Sequence, residues 1–95
     1  MISKETMVEV FQILHACYPA IYRNMSMDTW KKMFAVWYAL FQNTQFSKEN
    51  ILDAAQEYVM GENSRIHPTP GEIAELARLR ASENHVDADS LATSV

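Results

Sequence analysis

The chain is predicted to be all-α: a compact single-domain four-helix array over residues 1–82, followed by a disordered acidic tail at 83–95. Three observations carry this. Two glycines and three prolines are too few for the turns that an all-β chain needs. Apolar residues make up 48% of the chain and recur at helical spacing. Finally, Met33-Phe34-Ala35-Val36-Trp37-Tyr38-Ala39-Leu40-Phe41 runs without a charge. That run is far shorter than the ~20 residues a bilayer span requires, and it suits a helix covered on more than one side. On a helical wheel Trp30, Met33, Phe34, Trp37, Leu40 and Phe41 form one stripe, which Val36 and Tyr38 widen. Lys31, Lys32, Gln42 and Asn43 fall behind it. The expectation is a central helix around which the domain is built. Trp30, Phe34, Trp37, Leu40 and Phe41 should be core, together with Phe11, Leu14, Leu52, Tyr58 and Ile73.

Each element has its own start and stop signals. The first helix opens near Ser3 or Thr6, with Thr6 and Glu9 spaced as a capping box. Its inner face is Met7, Val10, Phe11 and Leu14, joined by Cys17 or Tyr18. Pro19 closes it, because the residue before a proline is pushed away from helical angles. The connector at 20–27 carries Ile21, Tyr22 and Met25 and is too apolar for a free linker, so it should pack over the core. Ser26 or Asp28 caps the second helix, which runs to about Asn43. Ser47 caps the third, which turns Ile51, Leu52, Ala55, Tyr58 and Val59 inward and Lys48, Glu49, Asp53 and Glu57 outward. Gly61 is placed to end it in the left-handed conformation. Thr69-Pro70-Gly71-Glu72 is the sharpest local signal: an N-cap, a proline at the first helical position, and a glutamate closing the box. The fourth helix presents Ile73, Leu76 and Ala77, then fades near Ala81 or Ser82. Beyond it Val86, Leu91 and Val95 are too few apolar anchors for a packed element.

Composition excludes several function classes. Eight basic residues against twelve acidic ones give a net charge of −4, and no basic run is longer than Lys31-Lys32. Direct nucleic-acid binding depends on neutralising phosphates and is not expected; Lys31 and Lys32 read as a solvated helix face. His15, His67 and His85 show no ligand spacing, so neither a metal nor a cofactor is expected. Cys17 stands alone, a small core residue near a helix end, with no base facing it. Gly61 and Gly71 are isolated and form no phosphate loop. The chain therefore reads as a non-enzyme. The unpaired cysteine and the missing leader segment point to the cytoplasm.

The ordered motifs go further. Tyr18-Pro19 closes the first helix, Trp37-Tyr38 and Leu40 lie in the second, and Ala54-Ala55 and Tyr58-Val59 mark the third. Asn63 then leads to Pro68-Thr69-Pro70-Gly71-Glu72-Ile73. This order resembles the N-terminal helical domain of the phage replicative-helicase loader and inhibitor family, found in phages and prophages of Gram-positive bacteria. The resemblance covers residues 3–79. It implies a compact helical domain and a disordered C-terminal segment, with no catalytic groups. It also implies binding to the host's hexameric replicative helicase, restraint of its ATPase and DNA-binding activities, and delivery to an origin-bound initiator. In the family the tail binds the helicase and the folded domain is associated with the initiator. On that basis the partner-binding residues here would be Glu83, Val86, Asp87, Asp89 and Leu91, in a tail shorter than the family's. The alternative is a phage assembly or tail-chaperone protein, or another helical adaptor. A helix-turn-helix regulator is disfavoured because no helix has the composition of a recognition helix.

The aromatic stripe yields a direct test. Trp37→Ala should cost on the order of 3–5 kcal/mol, and the cooperative thermal transition should be lost or strongly lowered.

Overall fold

The computed structural model describes the backbone of residues 1–94 and the side chains of residues 1–82. Five helices follow in order: α1 (Lys4–Cys17), α2 (Pro19–Arg23), α3 (Met27–Gln42), α4 (Lys48–Val59) and α5 (Pro70–Ser94). There is no strand among the described residues. The all-α fold is as the sequence predicts, with one helix more. The apolar connector after Pro19 is itself the short helix α2, on which Tyr22 is half-buried and Ile21 exposed.

Three helices start in the same way. Ser3, Ser26 and Ser47 have extended backbones, and each side-chain oxygen accepts the backbone N–H three residues on, from Thr6, Thr29 and Asn50 respectively. Each serine follows an apolar residue (Ile2, Met25 or Phe46), the pattern of a hydrophobic staple. Ile2 and its staple partner Met7 are both buried in the core. Ser3 is thus the cap of α1, and Thr6, which the sequence offered as an alternative, is buried with its hydroxyl on Ser3 Oγ at 3.0 Å. At α5 the expected capping box forms in full: Thr69 N–H donates to Glu72 Oε1 at 3.0 Å, and Glu72 N–H donates to Thr69 Oγ1 at 3.3 Å.

The stops differ more. Gly61 does not take a positive φ. Helix α4 instead ends at Met60, whose N–H bonds back to Gln56, and in a tighter turn from Gly61 N–H to the Tyr58 carbonyl. A Cβ at Gly61 would lie 3.3 Å from the Glu57 carbonyl oxygen, a tight contact that a small backbone shift would relieve. Helix α5 continues to Ser94, past the end expected near Ala81 or Ser82. No glycine or proline follows Gly71 to stop it.

The packing order corrects the expected centre. α4 lies against both α5 and α1, and α1 lies in turn against α3 and α2. α1 buries Thr6, Met7, Val10, Phe11 and Leu14, whereas α3 buries only Trp37 and Phe41. The aromatic helix is therefore an outer wall, and α1 is the helix covered on two sides. Trp30, Phe34 and Leu52 are half-buried against the core. Leu40 and Val36 are 59% and 56% exposed, against the expectation that Leu40 belongs to the core and Val36 to a covered arc. Cys17 is also exposed, because the inward position at the end of α1 goes to Tyr18.

Phe11 joins the two layers. Its ring centroid lies 4.8 Å from Trp30, 5.1 Å from Trp37 and 5.6 Å from Phe34, with the two tryptophans edge-on. Such edge-to-face pairs contribute about 0.5–1.5 kcal/mol each beyond buried area. Phe11→Ala should therefore destabilise by about 3–5 kcal/mol. Leu40→Ala, at an exposed site, should stay within about 0.5 kcal/mol of the parent. Urea denaturation of both variants checks the assignment of α1 as centre and α3 as wall.

Candidate functional site

Two features stand apart from ordinary core: an aromatic–imidazole cluster at one end of α1 and an open groove along its length. The cluster begins at Tyr18, which is at once the C-cap of α1 and the N-cap of α2. Pro19 at the first position of α2 fixes this corner. The corner turns Tyr22 back, so that the His15 ring stacks on it at 3.9 Å between centroids. His67, in the connector between α4 and α5, lies 5.5 Å from the Tyr22 ring, 5.2 Å from Tyr18 and 6.2 Å from Trp37.

Hydrogen bonds fix the protonation of this cluster. The Pro68 carbonyl can only accept, so His67 Nδ1 donates to it at 2.8 Å. His67 Nε2 is then the acceptor for the Tyr22 hydroxyl. Burial pushes the His67 pKa below the usual histidine value, and the bond to the Pro68 carbonyl opposes this in part. Burial likewise pushes the Tyr22 phenol well above its usual value, with Tyr18 adding to the effect. Both groups are held neutral and both imidazole nitrogens are occupied. The pair works as a clasp from α2 to the connector. A second clasp runs from the Tyr58 hydroxyl to the Ile66 carbonyl at 2.8 Å. Burial raises the Tyr58 pKa, as do the nearby charges of Glu72 and Tyr18.

The groove lies between the outward face of α1 and the rim of α3. It consists of two hollows of about 490 and 380 Å³ that share Val8 and Trp30. The first adds Phe11, Gln12, His15 and Ala16; the second adds Lys4, Glu5, Lys31 and Phe34. Its floor is apolar and aromatic.

Glu83, Val86, Asp87, Asp89 and Leu91, the residues assigned to partner binding, lie outside the residues whose side chains are described. No group of three or more His, Cys, Asp or Glu among the described residues could hold a metal ion. No helix among them is long and apolar enough to cross a membrane. His15 and His67, far apart in sequence, both meet Tyr22, a convergence that spacing along the chain does not reveal. Local signals did exist for it: Tyr22 lies four residues after Tyr18 across a proline corner, and His67 precedes a proline, which favours an extended backbone. No family model matches this chain, nor does any curated protein or solved structure.

The His67 clasp makes stability depend on pH. The folded pKa lies below the unfolded value of about 6.5, so the unfolded chain takes up the proton first as pH falls. The clasp's contribution is complete above that value and is lost as pH drops through the folded pKa. The urea midpoint should fall between neutral pH and pH 5, and His67→Gln should flatten that part of the profile. An unchanged slope in the variant would locate the pH dependence elsewhere.

Proposed function

We propose that this protein is a phage DNA-replication accessory factor that binds the host's hexameric replicative helicase, holds it in check and helps deliver it to an origin-bound initiator. It acts without a catalytic group or cofactor, in the cytoplasm of the bacterial host, and touches neither nucleic acid nor membrane directly. The observation that carries this reading is the convergence of the motif residues on which the resemblance rests. Tyr18, Trp37, Tyr58, Pro68 and Ile73 are all buried. These buried motif residues belong to the core of one domain, whereas Pro19, Leu40, Asn63, Thr69 and Gly71 of the same motifs are exposed. The exposed apolar side chains of α1 and α3 also suit a protein that works through other proteins.

Such a role needs only differential affinity for one state of the helicase. Restraint follows if the bound state is the inactive one. Release follows if the initiator competes for the same surface. The segment at 83–95, with three acidic residues and few apolar ones, is the part assigned to the helicase, through Glu83, Val86, Asp87, Asp89 and Leu91. Its charge would keep it off DNA phosphates while favouring a basic helicase surface.

Light scattering on a size-exclusion column, with the host helicase present and ATP added or omitted, tests the proposal. A nucleotide-dependent complex with reduced ATPase activity is expected, and deletion of residues 83–95 should abolish it. Absence of a complex under both conditions would favour the assembly or tail-chaperone alternative.

A further inference from the structure

Beyond helicase binding, we infer that the α1–α3 groove is a docking site for an amphipathic helix with an apolar face and an acidic border, supplied by a protein partner. Three features of the groove point to this occupant.

The first is length. Lining residues run along α1 from Lys4 to Ala16, which at 1.5 Å per residue is a trough of roughly 18 Å. That accommodates the i, i+4, i+7 anchors by which a helix lies in a groove.

The second is a preformed anchor point. Trp30 lies at the middle of the trough and lines both hollows. Phe11, His15 and Phe34 surround it, with ring centroids at 4.8, 5.2 and 5.4 Å. A tryptophan held this way loses little freedom on binding, and rigid aromatic residues dominate interface energetics. Val8 beside it is 44% exposed, an apolar side chain that α3 leaves uncovered.

The third is charge, which selects the partner's chemistry. The protein carries −4 overall, yet the lining holds two lysines against one carboxylate. Lys4 stands on the α1 wall and Lys31 on the α3 wall. Neither belongs to an ion pair among the described residues, where the pairs are Lys48–Glu9 and Arg80–Glu57. Glu5, the one acidic lining residue, lies in the first turn of α1, where the helix dipole offsets its charge. A helix with acidic residues bordering its apolar face would meet a lysine on each side, while a basic helix would meet repulsion from both.

The test uses two synthetic helical peptides of about four turns, each with leucine at i, i+4 and i+7. One is flanked by glutamate and its twin by lysine. Affinities come from fluorescence anisotropy, and the binding site from NMR signals of the Val8 methyls and the Trp30 indole N–H in the full chain. The acidic peptide should bind at least about tenfold more tightly than its twin, by the usual reading of opposed rim charges, and should move those signals. Lys4→Glu with Lys31→Glu should reverse the preference. Val8→Asp should abolish binding while leaving the thermal midpoint near the parent's.

Equal affinity for the two peptides, absence of binding, or shifts confined to other surfaces would overturn the inference. So would a concentration-dependent dimer dissolved by Val8→Asp, since a second copy would then fill the groove. Occupation of the groove by a peptide of residues 83–95 would also overturn it, by assigning the occupant to this chain. No helicase is present in these experiments, so their outcome is independent of the helicase-binding proposal.

Discussion

Everything in this structure depends on α1 being covered on two sides. A helix in that position must be apolar around much of its circumference, and α1 meets the requirement with Met7, Val10, Phe11 and Leu14, all fully buried. Phe11 is the contact through which α3 is held, since three aromatic side chains of α3 surround one ring. On its other side α1 lies against α4, whose small residues Ala54 and Ala55 are fully buried and permit a close approach. Without this arrangement the aromatic wall and the α4–α5 pair would share no core.

The connector between α4 and α5 is the second constraint. It is held near its α5 end by two side chains from elsewhere, Tyr22 on His67 and Tyr58 on Ile66. These bonds satisfy backbone and ring groups that a loose loop would leave to solvent. They also fix where Pro68 enters the core and hence where the capped start of α5 lies. The neutral imidazole makes the connector a pH-sensitive part of the fold.

A separation of tasks follows. Of the ordered motif residues, Tyr18, Trp37, Ala54, Ala55, Tyr58, Pro68 and Ile73 are buried and hold the domain together, whereas the groove is built from side chains outside those motifs. Val8, Gln12, His15, Trp30 and Lys31 lie on its walls, and none belongs to the ordered motifs. The two binding proposals accordingly concern different parts of the chain, the helicase the segment at 83–95 and the groove the folded domain.

How much of this was legible in the sequence divides along a physical line. Local signals located the helix starts: Ser47 and Thr69 cap their helices as read, and of the paired candidates the structure takes Ser3 over Thr6 and Ser26 over Asp28, through bonds that span three residues. All-α character, the corner at Pro19 and the capping box at Thr69 were likewise set by short-range chemistry. Periodicity also found the apolar stripe of α3, but it measures which way a helix faces and not how much of it is covered. Only the neighbours decide that, and α3 is an outer wall, so Leu40 and Val36 face solvent while Trp37 and Phe41 are buried. The same reason accounts for His67 and Tyr22, forty-five positions apart: the local proline signals place each residue at a turn, but not against the other. The sequence by itself determined the all-α class and most helix starts, because a cap depends on a few adjacent residues, but not the short helix α2 or the end of α5. Tertiary structure decided the centre, the clasps and the groove, because each requires surfaces from distant parts of the chain to meet.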